Sequence, residues 1–263
     1  NDQLKIYKSF TSSNGLIDLS DGTVKKIKIV VLDTKSNSST VEFTIQGKNV
    51  SNKVTCPNEF IAGKKNSFKN ESIEFTLNED CLYDNICFKL SVKPSASVYS
   101  NLYQVHAGFV PLHSYFDLKL RPKIPIPISL KDKVALVRSP YGRETKKVGK
   151  VATLQDGIAI ASVRDFGEYE IVIDQKAPSI TSAIKNNDNI TKVTRLSFVA
   201  KDETTSVKSF SAEVDGQWLR MVQKGDTFYY EMDEYFPQGK HTLTVTAVDE
   251  NGNTNKQTYI LTR

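Results

Sequence analysis

Gly239-Lys-His-Thr-Leu-Thr-Val-Thr-Ala-Val-Asp249-Glu-Asn-Gly-Asn253, followed by Gln257-Thr-Tyr259-Ile-Leu261, is the stretch that decides the fold. It is written a second time near the other end of the chain. There it reads Gly22-Thr-Val-Lys-Lys-Ile-Lys-Ile-Val-Val-Leu-Asp33-Thr-Lys-Ser-Asn37, followed by Val41-Glu-Phe43-Thr-Ile45. From the aspartate onward the copies match without a gap, pairing Asp33 with Asp249, Asn37 with Asn253 and Phe43 with Tyr259. Two alternating strands joined by an Asp/Asn/Gly turn form the closing hairpin of a small β-sandwich. A whole domain of sequence precedes the second copy, and only a short stretch precedes the first. The first copy therefore reads as the end of a truncated sandwich.

Working outward, nearly every periodic segment has period two. Ile27, Ile29 and Val31 alternate with Lys26, Lys28 and Val30, and Ile73, Phe75 and Leu77 continue the pattern. So do Leu196, Phe198 and Ala200, then Phe210, Ala212 and Val214. Such alternation buries one face and wets the other, as in antiparallel sheets. No amphipathic helix of more than about two turns is written in the chain. The expected class is all-β, in tandem immunoglobulin-like sandwiches.

Turn chemistry sets the expected boundaries. The polar run Gln46-Gly-Lys-Asn-Val-Ser-Asn52 separates a truncated domain (1–47) from an embellished sandwich (48–175). Asp174-Gln-Lys-Ala-Pro178 opens a third domain (176–263) with about seven short strands, an immunoglobulin-like rhythm. Asp215-Gly216 and Lys224-Gly225-Asp226 mark its hairpin turns. Pro122, Pro125 and Pro127 lack amide donors, so Arg121–Ile128 runs extended outside any central strand.

Composition narrows the function classes. Apolar residues make up 39% and charged residues 25%, as in globular domains. No apolar run reaches the roughly 20 residues of a membrane span. The charge of +5 arises from 35 basic and 30 acidic residues scattered along the chain. The densest basic stretch, Lys119–Lys150, carries no nucleic-acid signature and reads as a solvated loop with polar strand faces, so nucleic acid is not an expected partner. Cys56, Cys81 and Cys87 fit no zinc spacing; in an oxidising compartment Cys81–Cys87 and Cys56–Cys87 are both open as disulfides.

The chemistry-bearing motifs have structural readings. His106, His113 and His241 lie too far apart for a catalytic zinc, and His241 is expected to face solvent. Asp165-Phe166-Gly167 spells a kinase magnesium motif without its companions and reads as a turn. Asp249-Glu-Asn251-Gly-Asn253 places oxygens at alternate positions but misplaces the glycine and the final glutamate of an EF-hand loop, so it reads as a hairpin turn. No serine sits in a nucleophile-elbow context, no phosphate cradle follows a strand and no carboxylate pair stands out, so no catalytic, metal or cofactor residue is assigned. Trp218, Tyr229 and Tyr230 are the candidate ligand-stacking surface, as in carbohydrate-binding sandwiches.

Several runs together resemble a known family. They are His113-Ser-Tyr-Phe116-Asp-Leu-Lys-Leu-Arg-Pro122 with Pro125-Ile-Pro127, Asp132-Lys-Val-Ala-Leu-Val137, Ser162-Val-Arg-Asp-Phe-Gly167-Glu-Tyr169 with Ile173-Asp174 and Ala177-Pro178, and Ala212-Glu-Val-Asp-Gly216-Gln-Trp218. With the closing hairpin they resemble the region that follows the zinc endopeptidase domain in lysostaphin-type (LytM-like) murein metallopeptidases of Gram-negative envelopes. The family's His-x-x-x-Asp and His-x-His zinc elements are absent, so no catalytic residue carries over. The resemblance implies a non-catalytic tail of an exported protein, in the periplasm or at the cell surface. It would position an upstream peptidase and contact envelope proteins or peptidoglycan, with zinc confined to that upstream domain. A stand-alone scaffold subunit and a carbohydrate-binding module using Trp218 are the alternatives.

Overall fold

The computed structural model describes residues 17–47 and 56–263. Much of the polar run after Gly47 lies outside the described residues. The chain divides into two compact units, 1–55 and 56–263.

In the first unit, β1 (Val24–Leu32) and β2 (Ser38–Gln46) pair antiparallel, with Ile27 opposite Phe43 and Ile29 opposite Val41. The turn is held by Asp33, whose carboxylate accepts the Asn37 backbone N–H at 2.9 Å and its Nδ2 at 2.7 Å. Ser36 sits at φ +65°, a left-handed conformation that favours glycine. Its counterpart in the other copy is Gly252, at φ +76°. The two turns therefore share one geometry as well as one sequence pattern.

The second unit is all-β apart from a 3-10 turn at Ile128–Lys133. Its first sandwich comprises β3 (Glu59–Phe60), β4 (Asn66–Lys69), β5 (Ile73–Leu77), β6 (Ile86–Cys87), β7 (Leu90–Lys93), β8 (Leu102–Val105), β9 (Phe116–Leu120), β10 (Val134–Arg138), β11 (Val148–Val151), β12 (Thr153–Gln155), β13 (Ile158–Val163) and β14 (Gly167–Ile173). These form two five-stranded sheets, ordered β11-β10-β14-β8-β7 and β12-β13-β9-β5-β4, with a β3–β6 ribbon beside them. Between the sheets lies an aromatic cluster of Phe60, Phe68, Phe75, Phe88, Phe116 and Phe166. The disulfide is Cys56–Cys87, with Cα atoms 5.5 Å apart, and Cys81 is a buried free thiol. Ile126 anchors the proline run in the core while the run itself stays outside every sheet, since its prolines cannot donate to a ladder. Phe166 of the kinase-like tripeptide is fully buried, and Gly167 takes φ +145° against the Arg138 side chain.

The second sandwich comprises β15 (Ser179–Ser182), β16 (Arg195–Lys201), β17 (Val207–Val214), β18 (Gln217–Leu219), β19 (Val222–Lys224), β20 (Thr227–Glu231), β21 (Lys240–Asp249) and β22 (Thr254–Thr262). Its sheets run β15-β16-β20-β19 and β18-β17-β21-β22. Strict alternation drives the layering: Leu243, Val245 and Ala247 are fully buried, while the intervening threonines lie towards the surface. Burying a side chain the size of Leu243 or Val245 contributes about 1.5–3 kcal/mol.

The two sandwiches pack through a hydrogen-bonded junction. Lys133 donates to the Asn251 carbonyl at 2.9 Å and to Asn253 Oδ1 at 2.6 Å. Asn251 Nδ2 donates to the carbonyls of Asp132 and Val134, and Asn253 Nδ2 to the carbonyl of Asp174. Gly149 of β11 faces the Thr204 carbonyl so closely that an added Cβ would sit 2.0 Å from its oxygen. Only glycine fits there.

Candidate functional site

A cleft opens where the second sandwich changes sheets. Asp215 and Gly216, at φ +48° and +80°, make the tight turn between β17 and β18. That register sets Leu219 opposite Ala212 and Trp218 opposite Glu213, so Leu219 turns inward and Trp218 outward. The chain then crosses from β18, an edge of one sheet, to β19, an edge of the other. The mouth between these edges is a cleft of about 280 Å³. Phe210 and Phe228, stacked with centroids 4.4 Å apart, contribute its floor together with Met221. Lys208 and Gln223 add polar groups, and Trp218, 71% exposed, stands at its edge.

The three aromatics expected to act together are separated by the fold. Trp218 belongs to the β18-β17-β21-β22 sheet, whereas Tyr229 and Tyr230 lie on β20 of the opposite sheet. Tyr229 is half-buried beneath Arg195, whose guanidinium lies 4.5 Å from the ring centroid and pairs with Glu231. Tyr230, adjacent on the strand, must point the other way; it is 6% exposed in the core, with its hydroxyl bonded to Asp233. Tyr230 is thus corrected from a surface residue to a core residue. Sequence reasoning missed Phe210, Met221 and Phe228 as cleft residues, because nothing local says where the sandwich is left open.

His241 also departs from expectation. Its imidazole is held between the Asp215 carboxylate, 2.6 Å from Nδ1, and the Gln238 carbonyl, 2.9 Å from Nε2, so it braces the turn that aims Trp218. These two acceptors raise its pKa, the Gln238 carbonyl most. His113 hydrogen-bonds Tyr83, and His106 is half-buried with its pKa lowered chiefly by burial. Within the basic stretch, Lys119 pairs with Glu74 and Lys147 with Glu170, and Arg138 pairs with Glu144. Lys119 and Lys69 hold the Glu74 carboxyl down to about 2.

Among the described residues, one set of carboxylates lies close enough to share an ion: Asp174, Asp202 and Asp249, at the junction, with ligand atoms within 4.8 Å of one another. Each already has hydrogen-bond donors. Asp249 accepts from the Asn253 N–H and Nδ2, Asp202 from the Thr204 and Thr205 N–H groups, and Asp174 from Lys176 N–H and the Thr205 hydroxyl. The arrangement knits the junction. Burial, then the neighbouring Asp202 charge, raises the Asp174 pKa above its ordinary 3.8. A raised carboxyl pKa adds stability below the unfolded value, and that contribution is lost as pH rises through the folded value. Asp174→Asn should therefore stabilise the fold relative to wild type at pH 7.5, with the advantage shrinking by pH 4.5. Urea denaturation at both pH values checks this; an equal loss of stability at both would show that the carboxylate is needed in charged form.

With this geometry in place, the chain can be compared with known proteins. Residues 58–174 match the model of a Zu5-like domain. Residues 168–262 match that of a bacterial Ig-like domain. No curated protein matches the chain. Among solved structures it is similar to the fibronectin(III)-like modules of Clostridium thermocellum CbhA, at 14% identity and TM-score 0.29, over 77% of this chain and 87% of that one. It is also similar to Bacteroides ovatus SGBP-B, of a mixed-linkage glucan utilization locus, solved with a mixed-linkage heptasaccharide; there the identity is 13% and the TM-score 0.22, over 92% of this chain and 54% of that one. At TM-scores this low, neither likeness carries an argument about this chain.

Proposed function

We propose that this chain is a non-catalytic binding segment of an exported protein, in which the Ig-like domain presents its Trp218 cleft to a cell-wall glycan. The observation that carries the reading is Trp218 itself, 71% exposed beside a cleft with stacked aromatics at its floor. A large aromatic left in water at the edge of a concave site is a ready platform for the apolar face of a sugar ring, with Lys208 and Gln223 placed to meet hydroxyls. The volume suits about one ring of a longer polymer. Export is supported by the Cys56–Cys87 disulfide, a bond that persists in oxidising compartments. The resemblance to murein metallopeptidase tails supplies the parent: a peptidase domain outside this chain would carry the zinc and the hydrolysis. The packed junction around Lys133 and Asn253 would hold the Ig-like domain at a fixed angle to the Zu5-like one.

The test is co-sedimentation of the purified chain with insoluble peptidoglycan. Trp218→Ala should weaken binding about tenfold or more, the loss expected for truncating a central aromatic anchor. Tyr229→Ala, on the opposite sheet, should leave it unchanged. Retention that ignores Trp218, or release of soluble muropeptides by the chain alone, would sink the reading.

A further inference from the structure

His241, on β21, has an oxygen at each of its ring nitrogens. Asp215 Oδ2 stands 2.6 Å from Nδ1, and the Gln238 carbonyl 2.9 Å from Nε2. A neutral imidazole carries one N–H, so it serves one of these acceptors and turns a lone pair on the other. Only the imidazolium donates to both. The ring is held in place: the buried Phe236 packs at right angles to it, with centroids 6.4 Å apart. Among the described residues, Asp215 is the charged group whose field acts on the ring. Lys240, adjacent on the strand, points to the other face. Leu261, opposite His241 on β22, is apolar, and Arg263 at the end of that strand gives its guanidinium to the carbonyls of Asp233 and Phe236.

Asp215 joins this arrangement to the cleft. Its N–H donates to the Thr242 carbonyl at 2.9 Å, and its Oδ1 accepts the Thr242 N–H at 2.8 Å. It holds φ +48°, a left-handed conformation that a residue other than glycine enters at a cost. Three residues further on stands Trp218, on β18, an edge strand whose ladder to β17 is only three residue pairs long. So short a strand takes its orientation from its turn. We propose that His241 is a proton-operated latch on the Trp218 cleft: the imidazolium clamps the turn and fixes the tryptophan for its ligand, and loss of one proton opens the clamp. The latch stands on the turn geometry, while its consequence for binding rests on the glycan reading above. Both acceptors raise the His241 pKa above its ordinary 6.5, the Gln238 carbonyl most. A raised folded value keeps the clamp at full strength below the unfolded value and releases it as pH rises through the folded one. Mildly acidic surroundings therefore favour binding, and alkaline ones release the ligand.

Trp218 is the sole tryptophan of the chain, so intrinsic fluorescence reads this site by itself. Between about pH 6 and about pH 9, the anisotropy of that emission should fall with one midpoint, shared with the His241 imidazole resonance in NMR. His106 and His113 lie in the other sandwich and report separately. Over the same range, retention on insoluble peptidoglycan should fall about threefold to tenfold, the worth of one hydrogen bond. His241→Gln, whose amide does not titrate, should flatten both profiles. Asp215→Asn, which removes the acceptor's charge, should lower the midpoint. Anisotropy that stays flat while His241 titrates, or that still titrates in His241→Gln, overturns the latch. Retention that depends on pH as strongly in His241→Gln as in the wild type overturns its control of binding. A chain whose Trp218 titrates as described but which binds no peptidoglycan at any pH upholds the latch and removes the glycan reading instead.

Discussion

Asn253→Ala should destabilise the second unit by about 3 kcal/mol, whereas Asn37→Ala, the same substitution in the matching turn, should cost no more than about 0.5–1 kcal/mol. Both asparagines donate a backbone and a side-chain N–H to the aspartate four residues earlier, at nearly equal distances. Burial separates them. Asp33 and Asn37 are exposed, so water replaces the lost donor. Asp249 is 0% exposed, and the truncation removes the Nδ2 donor from its carboxylate. It also takes a partner from the Asp174 carbonyl and an acceptor from the Lys133 ammonium. Urea denaturation measures the first cost, and local hydrogen exchange at β1 and β2 the second. Equal costs at the two sites would mean that turn geometry, not burial, decides the value of this hydrogen-bond pair.

Reducing the Cys56–Cys87 disulfide, or replacing both cysteines with serine, should cost about 3–4 kcal/mol in the first sandwich. The bond closes a loop of sequence separation 31 and pins the β3–β6 ribbon, where Glu59 lies opposite Cys87. That ribbon carries Phe60 onto Phe88, stacked at 4.8 Å in the aromatic cluster. Cys81 supplies the internal control: 0% exposed, it should resist thiol reagents until the fold opens. A midpoint unmoved by reductant would show that the ribbon holds without its covalent tie.

The architecture was legible because its grammar is local. Alternation at Leu243, Val245 and Ala247 declares a half-buried strand whatever it packs against, and Asp215-Gly216 declares its own turn through the positive φ it tolerates. The Asp33 and Asp249 turns are likewise complete within five residues each, so both copies formed the same structure in different surroundings. The candidate site was legible only in part. Trp218 could be picked out as an aromatic on a strand. Its separation from Tyr229 and Tyr230 depends on which sheet each strand joins, and that is a matter of long-range pairing.

The sequence by itself determined the strands, their turns and the hairpin repeat, since these follow from side-chain period and from φ preferences acting over a few residues. Tertiary structure alone decided the partner of Cys87, the burial of Tyr230, the cleft beside Trp218 and the meeting of Asp174, Asp202 and Asp249. Each of those brings together groups far apart in the chain. Such contacts are selected by the packing of whole sheets, an energy to which no short segment holds the key.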